Sequence, residues 1–418
     1  MTRFELEARP DGQTQAHVRY ADSERWAALV GGERWGYLAQ HVLGDPSREA
    51  TLTEIEALVA LGSDLVVTSE PALLAVRDQH LARGLNLMSP EEAFVIAGVW
   101  SRVTHAAFIG GSWGTNVGSY YRALAHALAP AAPPALSRLA NLERTECGGR
   151  TLFDLVDSIL RRLASSCRAL DRLVATWQCV TDNDSLSELL DELDRVVLNS
   201  WAIYDNLALL LTERFAIPVR SAADVSLVSA KWRRKLRASG GAALDEIVEA
   251  HRPHLMASHE VRHQLVHRAA LLPITEASSG GKGGTPLVWF EGNDLLGNLA
   301  ASAQELGQNV ADWGVRQVFE PGPEDVVILG NDGAEHGSYT IERERRALVD
   351  PLTYGLRVAA DAATLSRLLL ASFLPFIDDS PTPGQSGATA AGYDWFLPGA
   401  GRVAILSSPL SGLVELPG

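Results

Sequence analysis

Two long stretches restrict the folds open to this chain. Residues 151–177, "TLFDLVDSILRRLASSCRALDRLVATW", place Leu152, Leu155, Ile159, Leu163, Leu170 and Trp177 near one face of a helix. Residues 185–215 continue for about eight turns at 3.6 residues per turn. Their apolar stripe includes Leu189, Leu193, Val197, Trp201, Tyr204, Leu207 and Leu211. A helix with one apolar face must bury it against another element. Two such helices joined by a short link pack antiparallel. The expected fold is therefore mainly α, with an antiparallel helical bundle at its centre.

The flanking segments fill in the plan. "RFELEA" and "AHVRYA" alternate in the strand period around the turn "RPDGQT", which predicts a hairpin at the N-terminus. Helical spacing then takes over in "TLTEIEALVALGSDL" (51–65). "SPEEAFVIAGVWSRVTHAAF" (89–108) opens with a cap, a proline at the first helical position and acids at the positive end of the dipole. "SYYRALAHAL" (119–128) predicts one more short helix. The adjacent prolines of "APAAPPA" (129–135) cannot continue it, so they mark the expected first boundary. On this reading 1–135 form a mostly helical N-terminal domain and 136–277 the bundle. Residues 278–377 are an extension of strands and helices packed on the bundle, and 378–418 a loose tail with a terminal strand.

Charge limits the partners. The chain has 418 residues, 36 basic and 51 acidic, for a net charge of −15. Such a surface does not attract nucleic acid as a whole. Residues 229–270 are the local exception: Lys231, Arg233, Arg234, Lys235, Arg237, Arg252, Arg262 and Arg268 outnumber Asp245, Glu246, Glu249 and Glu260. No run of about 18 uninterrupted apolar residues predicts a membrane span. The N-terminal "MTRFELEARPDGQ" lacks the apolar core of a signal peptide. Cys147, Cys167 and Cys179 form no CxxC pair, and a reducing cytoplasm is the expected compartment.

The chemistry is concentrated in "SHEVRHQLVHRAAL" (258–271). Five of the eleven histidines, His251, His254, His259, His263 and His267, lie between 251 and 267. As a helix from Ser258, the stretch puts Val261, Leu265, Ala269 and Leu272 on a buried stripe. His259, His263 and His267 then recur every fourth residue on another face, with Arg262 beside them.

"VRHQLVHR" resembles the signature of the HEPN superfamily (higher eukaryotes and prokaryotes nucleotide-binding domains): an arginine, often followed directly by a polar residue, then a histidine after four to six intervening residues. Arg262, His263 and His267 take those places, with His263 where asparagine is common. Spacings within this range also occur at Arg34–His41 and Arg252–His259, but only Arg262–His267 falls within an amphipathic helix. The resemblance implies a four- to five-helix bundle over 151–272 that cleaves RNA without a metal or other cofactor. By it, Arg262 carries phosphate charge, His267 does general acid–base work, and His263 supports it or makes a second proton transfer. It also implies a homodimer and a toxin or phage-defence setting, with an antitoxin or defence protein as partner. "KWRRKLR" then reads as an RNA-holding patch of Lys231, Arg233, Arg234, Lys235 and Arg237, with Trp232 stacking a base. Its alternative is a solvated helix end with a buried tryptophan.

Other readings stay open. A non-catalytic module of the same fold would bind RNA, a nucleotide or a partner protein. His263 and His267, extended by His259, have the spacing of a metal pair, with Glu260 the nearby carboxylate. "GGSWG" (110–114) matches a nucleophile elbow around Ser112 but lacks the strand before it. "SGGKGGT" (279–285) lacks the setting of a phosphate loop. The five histidines also have a bland reading, as a solvated or structurally bonded cluster.

Overall fold

A computed structural model describes residues 3–8, 14–20, 23–30, 33–37, 66–67, 71–75, 87–103, 117–143, 149–178, 183–221, 224–267, 272–276, 285–329, 335–377 and 408–413. Most of them are helical. The chain forms two compact units, 1–97 with 277–285, and 98–276 with 286–418.

The first unit opens with β1 (Arg3–Ala8), β2 (Thr14–Tyr20), β3 (Ser23–Val30) and β4 (Glu33–Tyr37), an antiparallel meander in that order. The expected hairpin is its first half, with Arg3 opposite Arg19 and Ala8 opposite Thr14. The second half corrects the expectation that the chain turns helical directly after that hairpin. Val30 pairs with Glu33 across the two-residue Gly31–Gly32 link, a length and composition suited to a tight hairpin. Two-residue strands β5 (Val66–Val67) and β6 (Leu87–Met88) pair in parallel. The expected helix at 51–65, the Ser112 motif and the 279–284 loop lie outside the described residues.

Helix α1 (Pro90–Val103) begins as the sequence predicts. Ser89 Oγ accepts from the Glu92 N–H at 3.2 Å, and Glu92 Oε2 accepts from the Ser89 N–H at 2.9 Å, a complete capping box.

The second unit is built on α4 (Gly149–Gln178) and α5 (Asn183–Arg214), which pack along each other. All seven residues of the predicted α5 stripe are buried, and so are Ile159, Leu163 and Leu170 of α4. Helices α2 (Val117–Leu128) and α3 (Ala132–Glu143) both lie on α4. The boundary expected at 135 is therefore a tight link inside one core. Pro133 and Pro134 fall in the first turn of α3, where the missing N–H has no intrahelical partner to lose.

Helices α6 (Ala230–Ala238), α7 (Ala242–Ala250) and α8 (Arg252–His267) come next. Strands β7 (Leu272–Glu276) and β8 (Thr285–Glu291) are neighbours, and β8 leads into α9 (Asn293–Glu305). β9 (Val315–Phe319), the hairpin β10 (Gly322–Leu329) and β11 (Glu335–Arg343), and β12 (Arg346–Val349) lead into α10 (Pro351–Phe373). One sheet runs β7-β8-β12-β9, with β12 antiparallel to both β8 and β9. Its buried residues Val288, Phe290, Ala347 and Val349 join the helical core. α10 packs on both α4 and α5, so the expected 278–377 extension is in part bundle. Residues 351–376 are long and apolar enough to cross a membrane by length and composition, and Val358, Ala362, Leu369 and Phe373 are buried in the core. Of the expected tail, residues 408–413 are described, and Leu410 joins the core.

Gly314 sets the approach of the sheet to α10. Its φ is +85°, and a Cβ there would meet the Asp350 carbonyl oxygen at 2.8 Å. Gly307 also has positive φ, +64°, with nothing within 4 Å of an added Cβ. Gly314→Ala is expected to cost more than about 1 kcal/mol, and more than Gly307→Ala, in urea unfolding. Equal costs would contradict the close approach.

Candidate functional site on helix α8

α8 starts earlier and stops earlier than the sequence suggests. Pro253 occupies its first turn, α8 is described as far as His267, and Leu272 and Pro273 belong to β7. Pro273 would remove an interior hydrogen bond if the helix continued, which favours the switch to strand. Within the helix the expected stripe holds where it is described: Val261 is buried and Leu265 packs on the core. Ala269 lies outside the described residues.

The structure divides the histidines into two groups. His251 and His254 face inward. His254 Nδ1 donates to Asp361 Oδ2 at 2.9 Å, and Arg357 Nε lies 3.3 Å from Asp361 Oδ1. Arg357 also donates through Nη2 to Gln308 Oε1 at 2.8 Å and sits 4.6 Å from the Trp313 ring. The His254 ring is 5.6 Å from Trp313. This network ties α8 to α10 and to the Val310–Trp313 turn. His254 and Asp361 are only 16% and 11% exposed, which suits a tie between helices rather than a reacting pair.

His259, Arg262 and His263 share the other face and are all half-buried. The rings of His259 and His263 are nearly parallel, with centroids 6.2 Å apart and planes 12° from each other. His259 donates through Nδ1 to Glu260 Oε1 at 3.1 Å and meets the edge of Trp201 at 5.2 Å. The Arg262 guanidinium lies 6.0 Å from the same indole. Asp205 stands one turn beyond Trp201 on α5. Burial pushes its carboxyl above the ordinary range, while Arg262, Trp201 and His259 act against that rise. The exposed Val266 follows Arg262 by four residues, on the same face.

Of the predicted site residues, Arg262 meets Trp201 and Asp205 of α5 together with His259, and His263 stacks on His259, while the His267 side chain lies outside the described residues. Trp201 and Asp205 were not legible as site residues. Trp201 reads as one more member of the buried stripe, and Asp205 follows it at the i,i+4 spacing that places both toward α8. Among the described residues no group of three or more His, Cys, Asp or Glu side chains is arranged to hold a metal ion.

The 231–237 patch is largely occupied within the protein. Trp232 is buried and donates through Nε1 to Thr212 Oγ1 at 2.9 Å, so its ring is closed to a base. Arg233 is buried between Asp245, at 2.6 Å, and Glu249 of α7. Arg237 reaches Asp245 at 3.1 Å, and Lys235 donates to the Pro218 carbonyl. Lys231 and Arg234 are exposed. The solvated helix end with a buried tryptophan describes this segment better than an RNA-holding patch. Arg233→Ala is expected to cost about 1.5–3 kcal/mol in urea unfolding, and Arg234→Ala to stay within about 0.5 kcal/mol. A neutral Arg233→Ala would contradict the buried network.

No protein-family model, curated protein or solved structure matches the chain.

Proposed function

We propose that the chain is a HEPN-like, metal-independent endoribonuclease whose site is the outer face of α8. The observation that carries this reading is the placement of Arg262, half-buried, against Trp201 and Asp205 of α5, with the half-buried His263 next to it on α8. A ribose 2′-OH attacks the adjacent phosphorus, and the 5′ oxygen leaves. Guanidinium pairs two donors with phosphate oxygens and holds charge that grows in the transition state. Imidazole exchanges protons near neutral pH. In this reading Arg262 binds the phosphate and His263 moves a proton, with His267 one turn further along. As in the family it resembles, the protein acts as a homodimer in a toxin or phage-defence setting, alongside an antitoxin or defence partner.

A second reading keeps the surface and drops the reaction. Glu260 and Asp205 beside the site, and the pairing of Arg233 and Arg237 with acids, favour a module that binds RNA, a nucleotide or a protein without cutting.

End-labelled RNA incubated with the full chain in excess chelator separates the two. Products ending in a cyclic phosphate are expected. Intact RNA that the protein nevertheless retains on a filter points to the binding module. Cleavage only when divalent metal is added removes the metal-independent mechanism.

A further inference from the structure

His259 lies four residues before His263 and outside the Arg–His signature, yet its imidazole is held by both Glu260 and Trp201. We propose that His259 is a catalytic proton-transfer residue, paired with His263 on one reacting phosphate. This assignment rests on the ribonuclease reading above.

Three observations carry it. Glu260 takes the Nδ1–H of His259, so Nε2 is left as the working nitrogen, the arrangement by which a carboxylate fixes a catalytic imidazole. The Trp201 and His259 rings pack edge-wise with centroids 5.2 Å apart, and 31% of the His259 side chain is exposed, so it is both positioned and reachable. The two rings stand 6.2 Å apart and nearly parallel, with Arg262 between them in sequence on the same face. An imidazole nitrogen bonds in the plane of its ring, at about 3 Å, so two parallel rings present their nitrogens along their edges, where one phosphoryl group lying across those edges offers its entering and leaving oxygens to different rings. Among the described residues, the charged groups facing the pair include Glu260 and Arg262 on α8 and Asp205 on α5.

The proton balance is simple. One imidazole accepts the 2′-OH proton as the 2′-O–P bond forms. The other gives a proton to the 5′ oxygen as the P–O5′ bond breaks. The products are a 2′,3′-cyclic phosphate and a 5′-OH, and no co-reactant is consumed.

A leaving-group exchange tests the pairing. The linkage cut by the wild-type chain is mapped, and that RNA is remade with sulfur in place of the bridging 5′ oxygen. A thiolate leaves without a proton, so loss of the general acid no longer matters. His259→Gln and His263→Gln are each expected to slow cleavage of natural RNA by about 10²-fold or more, and the sulfur substrate is expected to restore one of them to within about tenfold of wild type. The rescue also shows that the rescued variant is folded. Near-wild-type cleavage of natural RNA by His259→Gln would overturn the assignment, as would rescue of both variants or of neither. Rescue that belongs to His267→Gln instead would move the role to His267. If the wild type cuts neither substrate, the ribonuclease reading itself fails.

Discussion

Asp171→Ala is expected to destabilise the bundle by about 3–5 kcal/mol, the cost of leaving a buried charge without its partner. Asp171 lies in α4 and is almost wholly buried. Arg102, near the end of α1, meets it with both arms, Nε to Oδ2 at 2.6 Å and Nη2 to Oδ1 at 3.0 Å. Tyr121 of α2 donates to the same carboxylate at 2.9 Å, and the Arg102 guanidinium lies 4.5 Å from the Tyr120 ring. Burial pushes the Asp171 carboxyl upward, and Arg102 and Tyr121 pull it back. Truncating Asp171 removes that compensation from Arg102, itself buried. The apolar pair Arg102→Met with Asp171→Leu is expected to recover most of the loss, because it leaves no charge behind. Urea midpoints at constant slope read both results. A cost under about 1 kcal/mol for Asp171→Ala would show that water reaches this junction.

That junction was invisible in the sequence, and the reason is physical. Asp171 interrupts an apolar α4 stripe by one position, and its partner lies 69 residues earlier. Local spacing reports which face a helix buries, so the α5 stripe was legible in full. It does not report which distant cation meets a buried acid. The prolines at 133–134 misled for a related cause, since proline ends one helix and starts the next by the same chemistry. The site was legible in part. The i,i+4 spacing of His259 and His263, with Arg262 beside them, separates this face from the inward His254, but only tertiary packing brings Trp201 and Asp205 to it. The basic excess of 229–270 overstated the free charge, because Asp245 and Glu249 of α7 answer Arg233 and Arg237 directly.

Arg262→Ala is expected to lower the cleavage rate by about 10²–10³-fold, the usual effect of removing one group that stabilises transition-state charge. Arg262 is half-buried and rests near an indole, so its guanidinium is positioned by the protein alone. Arg262→Lys keeps the charge but loses the paired donors, and an intermediate rate is expected. A larger change in KM than in kcat would mean that Arg262 binds the ground state and transition state alike.

The decisive measurement is single-turnover cleavage of end-labelled RNA in chelator by the wild type, Arg262→Ala and His263→Gln, each shown to be folded by its thermal transition. A cyclic-phosphate product from the wild type and a reaction at least about a hundredfold slower in both variants are expected. Cleavage by both variants at the wild-type rate would contradict a phosphate-directed site on α8.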